Sequence, residues 1–501
     1  MKHRILILLL LVIHYTARTS SLEWEYRFDS PIVSVQGQYS HLQIAGCLSA
    51  GQAGTPALPY QNVIQLLPPG HEAVSYSVVF SEPVELILDY PLYPVQPSRP
   101  YSDPGSSGFA LNSAIYSSKA SFPIEAKGRL TTHFLGGYCI AMGTFTPVRY
   151  FPFDHKLIVY TRAVVSLQTE DTDKARKAVT GKHTPVFRSS VSRFVQNATF
   201  MDEYSYDQGV GTGCQVLILT PQSYVSAFSG LAEVYEQSGM SLSIVSLEDV
   251  ESGYNGLDLA EKIRNCIIDS YQNCGTEYVI LGGDAEILPA RGFYCQVQSS
   301  SVYEDYSIPS DLYYSALDGN WDTNGNGVWG EIGEDDLLPE VAVARLPFSN
   351  LTELNRMLHK SIAYQTSPVP GEFEKPLLAG ELLYSNPLSW GADYLDLLIG
   401  YRTDNGYTTN GIPEDHEIEK LYERDLGYWS KQDLMERINQ GKSFIHHAGH
   451  SNWDYAMKLS LNDINNQNFS QVNGVIHNYT LVYTHGCICG AFDYSDCIAE
   501  E

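Results

Sequence analysis

Between residues 21 and 195, short apolar or alternating runs recur at 32–35, 74–80, 86–88 and 156–165, separated by turn signals such as Pro68-Pro69-Gly70 and Pro104-Gly105. Runs of that length and spacing predict a β-rich, sandwich-like domain. Residues 171–193 turn polar and basic, and read as an exposed linker whose Lys and Arg residues offer processing sites. At Gly213 the period changes. Apolar runs at 215–220, 242–247 and 278–281 alternate with helical spacing at 222–237 and 257–271, the second with Leu259, Ile263, Cys266 and Ile267 on one face. Strand–helix–strand–helix–strand over this length predicts a parallel sheet covered by helices. Further runs at 341–343, 377–379, 443–446 and 481–483 would extend that sheet, with ligands off the carboxyl ends of its strands. No internal repeat is evident.

Length changes this picture first, because 501 residues are too many for one core. The pattern divides into a signal peptide (1–21), a β-rich domain (22–205) and two α/β stretches (206–370 and 371–501). The signal peptide rests on Lys2 and Arg4 ahead of the apolar run 5–13, too short to span a bilayer but long enough for export. No later stretch reads as a membrane span. A secreted or cell-surface location follows. Charge narrows the partners: 31 Lys and Arg against 58 Asp and Glu give a net charge of −27. Such a surface repels phosphate backbones, which argues against nucleic acid, and it suits cationic substrates or a hard cation such as calcium. Nine cysteines are too few for a disulfide scaffold, and their odd number leaves at least one thiol free. Cys266 and Cys274 could pair, though connectivity is not readable from sequence.

Two apolar runs end in reactive residues. Residues 442–450 read KSFIHHAGH, and residues 479–494 read YTLVYTHGCICGAFDY. If both runs are parallel strands of one sheet, His450 after Gly449 and Cys487 after Gly486 emerge together at its carboxyl edge. A thiol needs a nearby base to become a nucleophile at neutral pH, and an imidazole supplies it. The amides from Gly486 to Ile488 would then hold a tetrahedral oxyanion. Cys489 competes for the nucleophile, but Cys487 directly follows the glycine at the strand end. Singly, a strand cysteine is most often a buried apolar residue. A zinc site from His446, His447, His450, His485, Cys487 and Cys489 is a third reading, weakened because adjacent His446 and His447 point to opposite faces of a strand.

A separate cluster follows residue 317. Asp318, Asn320, Asp322, Asn324 and Asn326 alternate around Gly325 and Gly327, and Glu331, Glu334, Asp335 and Asp336 come after. Oxygen ligands on a glycine-bent loop can wrap a structural calcium ion, with Asp318, Asn320, Asp322, Asn324, Asn326 and Glu331 as its expected ligands. The closing acid is out of place for an EF-hand, and the competing reading is a solvated acidic loop. Four N-x-[ST] sequons, at Asn197, Asn350, Asn468 and Asn478, carry little weight.

The segments HHAGHSNWDYAMKLS and THGCICGAFDY resemble the His and Cys blocks of the gingipain-like cysteine peptidases, peptidase family C25. SDLYYSALDGNWDTNGNGVWGEIGEDDLLPEVAVARLPFSN resembles the stretch ahead of that family's long helix, and PALPYQNVIQLLPPGHEAV the start of its propeptide. The resemblance runs from about residue 50 to the end. It implies a caspase-like, mostly parallel sheet flanked by helices behind an all-β prodomain. It also implies a secreted zymogen that cleaves protein or peptide substrates through a thiol acyl-enzyme, held latent by its own propeptide. On that match His450 is the base and Cys487 the nucleophile, and calcium fits the family's habit. Glu340, just before VAVARLP, is the positional match for an acidic third member, or else it lines the calcium loop. Asp284 and Asp454 are open choices for a pocket that takes a basic side chain. The alternative whole-chain reading is a non-catalytic exported module for binding or surface attachment. It draws on one expectation, that the catalytic part is cut short, since Glu501 follows Cys487 by 14 residues.

Overall fold

The computed structural model describes residues 20–97, 108–179, 185–204, 213–298, 302–404, 407–494 and 496–501. The expected signal peptide falls almost wholly outside them. Two antiparallel sheets build the N-terminal region. In one, Lys156–Asp171 pairs with Ser20–Arg27 on one side and His71–Ile87 on the other; in the second, Leu58–Leu66 and Thr131–Leu135 flank Tyr138–Phe145. The runs at 74–80 and 86–88 belong to one long strand. Pro83 is tolerated inside it because His71–Ile87 lies at the sheet's edge, where a missing N–H can face away from the ladder. Between the sheets Leu58, Val63, Phe145, Val159, Val165 and Leu167 are fully buried. The segment expected as an exposed linker instead holds two helices, Asp173–Val179 and Pro185–Phe194. Val191 explains the second, since it packs with Leu66, Tyr138 and Ile140 in a satellite core.

Beyond residue 213 the expected single sheet is two sheets of four parallel strands. The first contains β1 (Val216–Thr220), β2 (Leu242–Ser246), β3 (Tyr278–Gly282) and β4 (Ala342–Leu346) in the order β2-β1-β3-β4. The second contains β5 (Leu377–Gly380), β6 (Glu419–Tyr422), β7 (Phe444–Ala448) and β8 (Leu481–Thr484) in the order β6-β5-β7-β8. The strand order is the same in both, so the topology repeats although the sequence does not. Among the described residues no ladder joins β4 to the second sheet.

In the two sheets the inner strands β1, β3 and β5 are almost wholly buried, which is why they read as continuous apolar runs, whereas the edge strand β8 leaves Leu481, Val482 and Tyr483 exposed. Leu217, Leu219, Val279 and Leu281 of the first meet Ile263, Cys266 and Ile267 of the helix Leu259–Cys274. Its other face packs Ile218 and Ile280 on Leu231, Leu354 and Leu358. In the second, Leu377, Ala379 and Ile445 pack on Leu434, Met435 and Ile438, and Leu378 and Tyr422 on Ala392 and Leu395. The helix starts are capped: Asp258, Asn350 and Ser430 each accept backbone N–H groups of the first turn. No described helix is long and apolar enough to cross a membrane. All nine cysteines are free, Cys266 and Cys274 included, which lie along one helix.

Candidate active site

The register of the second sheet fixes what meets at its carboxyl edge. β7 and β8 run parallel with His447 opposite Thr484. Three further residues carry one strand to His450 and the other to Cys487. The two segments are tied where they leave the sheet: the His485 amide donates to His447 O at 2.9 Å, and Ser451 Oγ donates to Cys487 O at 2.5 Å. On the other side of β7, Gly380 of β5 stands opposite Ala448, and opposite Tyr422 of β6. The next row along the edge is therefore Glu423, Glu381, Gly449.

His450 is exposed at this edge, and its surroundings choose its tautomer. Nε2 lies 3.1 Å from Leu382 O and 3.0 Å from Leu383 O. Carbonyl oxygens only accept, so Nε2 carries the proton and Nδ1 offers the lone pair of the neutral ring. The backbone of His450 is held as well, its N–H donated to Glu381 Oε2 at 3.0 Å. Glycine at 449 makes this approach possible, because a Cβ there would lie 2.6 Å from Glu381 Cδ and 2.3 Å from His447 Nε2. Burial alone would raise the Glu381 pKa. The adjoining His447, the donated amide and Lys458 outweigh it and hold the carboxyl below its ordinary value, hence ionised at neutral pH.

Cys487 is exposed, whereas Cys489 is buried with its thiol 3.5 Å from Gly486 O. A Cβ at Gly486 would come within 2.2 Å of Ser451 Oγ, so glycine is required for the two loops to touch. The Gly486 amide, expected to face an oxyanion, is instead donated to Thr484 Oγ1 at 2.9 Å. The amides of Cys487 and Ile488 donate to no acceptor among the described residues. Ile488 adopts φ +46°, a left-handed backbone that a β-branched residue takes only when its surroundings impose it. The histidines of the zinc reading do not converge. His447 is fully buried, with Nδ1 2.7 Å from Thr484 Oγ1, while His446 stacks on His485 on the opposite face.

Glu340 lies elsewhere. It is 3% exposed, accepts the Leu317 amide on Oε2, and converges with Asp318 and Asp336 so that one oxygen of each lies within 4.8 Å of the others. Among the described residues this is the group whose ligand atoms meet closely enough to hold a metal ion. Glu340 Oε1 and the buried Tyr271 hydroxyl, which line the same cavity, have no hydrogen-bond partner among the described residues. Burial first, then repulsion from Asp336, pushes the Asp318 pKa up to about 8. The other expected ligands form a different structure. Asp322 accepts the Asn326 and Gly327 amides, Asn324 and Asn326 donate to Glu331, and Asn320 accepts the Asp322 amide. That loop is exposed and bonded to itself.

Sequence reasoning missed Glu381 and the part of Asp336 in the carboxylate trio. The signal for Glu381 was the acidic residue ending the apolar run 377–380. That for Asp336 was one member of a run of acids, with nothing to single it out.

A thiol and an imidazole past the ends of neighbouring parallel strands are the two groups that cysteine-hydrolase chemistry draws on. Residues 210–501 match the model of peptidase family C25, and residues 17–197 match that of the C25 propeptide. The chain belongs to peptidase family C25, as a gingipain-like member. It is similar to Lys-gingipain of Porphyromonas gingivalis, 24% identical over 477 residues, which cover 93% of this chain and 25% of the relative. It is also similar to an uncharacterized protein of Archaeoglobus fulgidus, 24% identical over 264 residues, which cover 48% of this chain and 58% of that one. Among solved structures, the Arg-specific cysteine proteinase gingipain R superposes with a TM-score of 0.40 at 17% identity, over 59% of this chain and 60% of that one. The chain spans about a quarter of the length of the Lys-gingipains it matches.

Proposed function

We propose that this chain is the zymogen of a secreted cysteine endopeptidase, with His450 as base, Cys487 as nucleophile and residues 1–21 as its export signal. The observation that carries the reading is the β7–β8 register, with both residues three positions past a paired row. In this mechanism His450 Nδ1 takes the proton from Cys487 Sγ, and the thiolate attacks the scissile carbonyl carbon. The amides of Cys487 and Ile488 hold the oxyanion. Collapse breaks the C–N bond, and the proton on Nδ1 passes to the leaving amine. Water then attacks the thioester, gives its proton to Nδ1, and the acid departs as the thiol reforms. Glu381 acts as a positioning residue for the His450 backbone. Substrates are proteins or peptides, and the net charge of −27 draws basic side chains, in keeping with the Lys and Arg in the relatives' names.

A structural calcium ion belongs to the same reading, held by Asp318, Asp336 and Glu340 with the Tyr271 hydroxyl beside them. These are hard oxygen donors, one carboxylate oxygen of them unpaired. The first test is hydrolysis of Lys and Arg peptide substrates by the processed protein. Cys487→Ala should lower kcat/KM on the order of 10⁴-fold or more while Cys489→Ala does not. Unchanged cleavage by Cys487→Ala would sink the catalytic reading and favour a binding module.

A further inference from the structure

The row of residues at the second sheet's carboxyl edge continues past Glu381 to Glu423, which follows β6. Glu423 is buried, and its two oxygens have separate partners. Oε2 accepts the Leu382 amide at 2.6 Å, and Oε1 accepts from Lys458 Nζ at 2.8 Å. Leu382 and Leu383 are the residues whose carbonyls take the Nε2 proton of His450. A continuous path thus runs from Lys458 through Glu423 and the Leu382–Leu383 peptide to the imidazole.

Lys458 is placed at some conformational expense. It and Met457 both have left-handed backbone, φ +63° and +54°, in the small sheet of Ser451–Asn452, Tyr455–Ala456 and Leu459–Ser460 that follows His450. They are the two central residues of the hairpin turn between Tyr455–Ala456 and Leu459–Ser460, where left-handed backbone is the rule, and as neither is glycine the turn has a cost that side-chain contacts offset. The contacts here are the Glu423 carboxylate and the faces of Tyr428 and Trp429, 4.8 and 4.6 Å from Nζ. Trp429 in turn donates Nε1–H to Gly380 O, at the end of β5. A buried ion pair is weak evidence for stability in itself, because desolvation offsets the attraction. Its use lies in the geometry it fixes.

We propose that Glu423 and Lys458 are a positioning pair for the catalytic histidine. They hold the Leu382–Leu383 carbonyls where they keep the proton on His450 Nε2 and leave Nδ1 free for the thiol. The proposal rests on the assignment of His450 as base. Neither residue touches substrate or the reacting atoms.

The test uses the full chain and two readouts: the ring-nitrogen NMR signals of His450, assigned by difference from His450→Ala, and the rate at which iodoacetamide alkylates Cys487 at pH 7. In the wild type His450 should give the Nε2–H signature. Glu423→Ala should replace it with a mixture of tautomers and slow alkylation about tenfold, since a small misplacement of the base is enough to do so. Glu423→Gln should restore part of the rate, because its amide oxygen can still accept from Leu382. A folded Glu423→Ala protein with wild-type histidine signals and alkylation rate would overturn the proposal. If Glu423→Ala does not fold, Lys458→Met decides by the same readouts, and no change in either overturns it. His450→Ala separates the two readings. If it leaves alkylation unchanged, the base assignment fails; if it slows alkylation and Glu423→Ala does not, only the positioning pair fails.

Discussion

The two parallel sheets have the same strand order, yet their carboxyl edges differ in what they leave unpaired. At the first edge most polar groups satisfy one another, although burial and the nearby Glu500 carboxylate raise the Asp284 pKa. Arg345 grips Asp311 with two nitrogens and donates to Gly283 O and Leu288 O, Thr220 Oγ1 bonds Gly282 O, and the buried Asp284 accepts its neighbour's amide and faces Ser349. At the second edge an imidazole and a thiol both reach solvent, beside a left-handed residue and two undonated amides. Parallel topology supplies an edge where loops converge. Chemistry needs that edge to be left incompletely satisfied.

Substitutions at each edge test this contrast. The largest effect is expected from Arg345→Met, which strands Asp311 and two carbonyls in a nearly buried site. Thermal or urea unfolding should register a loss of about 3–5 kcal/mol. A loss within experimental error would mean that the first edge is not built on that residue. Calcium comes next. Saturation at 100 times its Kd should stabilise the protein by about 2.7 kcal/mol, read as a higher Tm than in EDTA. Asp336→Asn should abolish the difference, and a response unaffected by that change would move the ion elsewhere.

Glycines sharpen the comparison further. Gly486→Ala and Gly282→Ala should each cost about 1–3 kcal/mol by overpacking, against Ser451 in one case and Phe228 and Thr220 in the other. Only Gly486→Ala should also slow alkylation of Cys487; equal slowing by both would erase the distinction between the edges. The smallest effects are expected from the helix caps. Asn350→Ala and Ser430→Ala should each lose about 1 kcal/mol in denaturant titrations, and equally, because the two scaffolds are built alike.

Much of this was legible in the sequence because fully buried parallel strands write themselves as apolar runs. The runs before Thr220, Gly282, Gly380 and Ala448 are such strands; the run before Thr484 is a strand as well, apolar although Leu481, Val482 and Tyr483 are exposed at the sheet's edge. β6 was not legible, since Glu419-Lys420-Leu421-Tyr422 is half polar and too short to show a period. Nor was the division into two sheets, because pairing between strands leaves no mark on the runs themselves. Of the candidate site, the placing of His450 and Cys487 past the ends of two neighbouring strands was legible, because a glycine precedes a reactive residue at each. It was not legible at Glu381 or Glu423, single acids whose meaning comes from the strands beside them. The acidic loop misled for the same reason. Alternating oxygens between 320 and 326 looked like a cation site, but Asp318 finds its partners at Asp336 and Glu340, far along the chain.

The central claim is that His450 activates Cys487. Alkylation by iodoacetamide at pH 7, read cysteine by cysteine through peptide mass spectrometry in the wild type and in His450→Ala, tests it most directly. Cys47, Cys139 and Cys266, whose thiols burial pushes up to about 11, serve as unreactive controls. The expected result is that Cys487 reacts first in the wild type and slows roughly 10²-fold without the imidazole. Equal rates in the two proteins, or faster labelling of Cys489 than of Cys487, would contradict it.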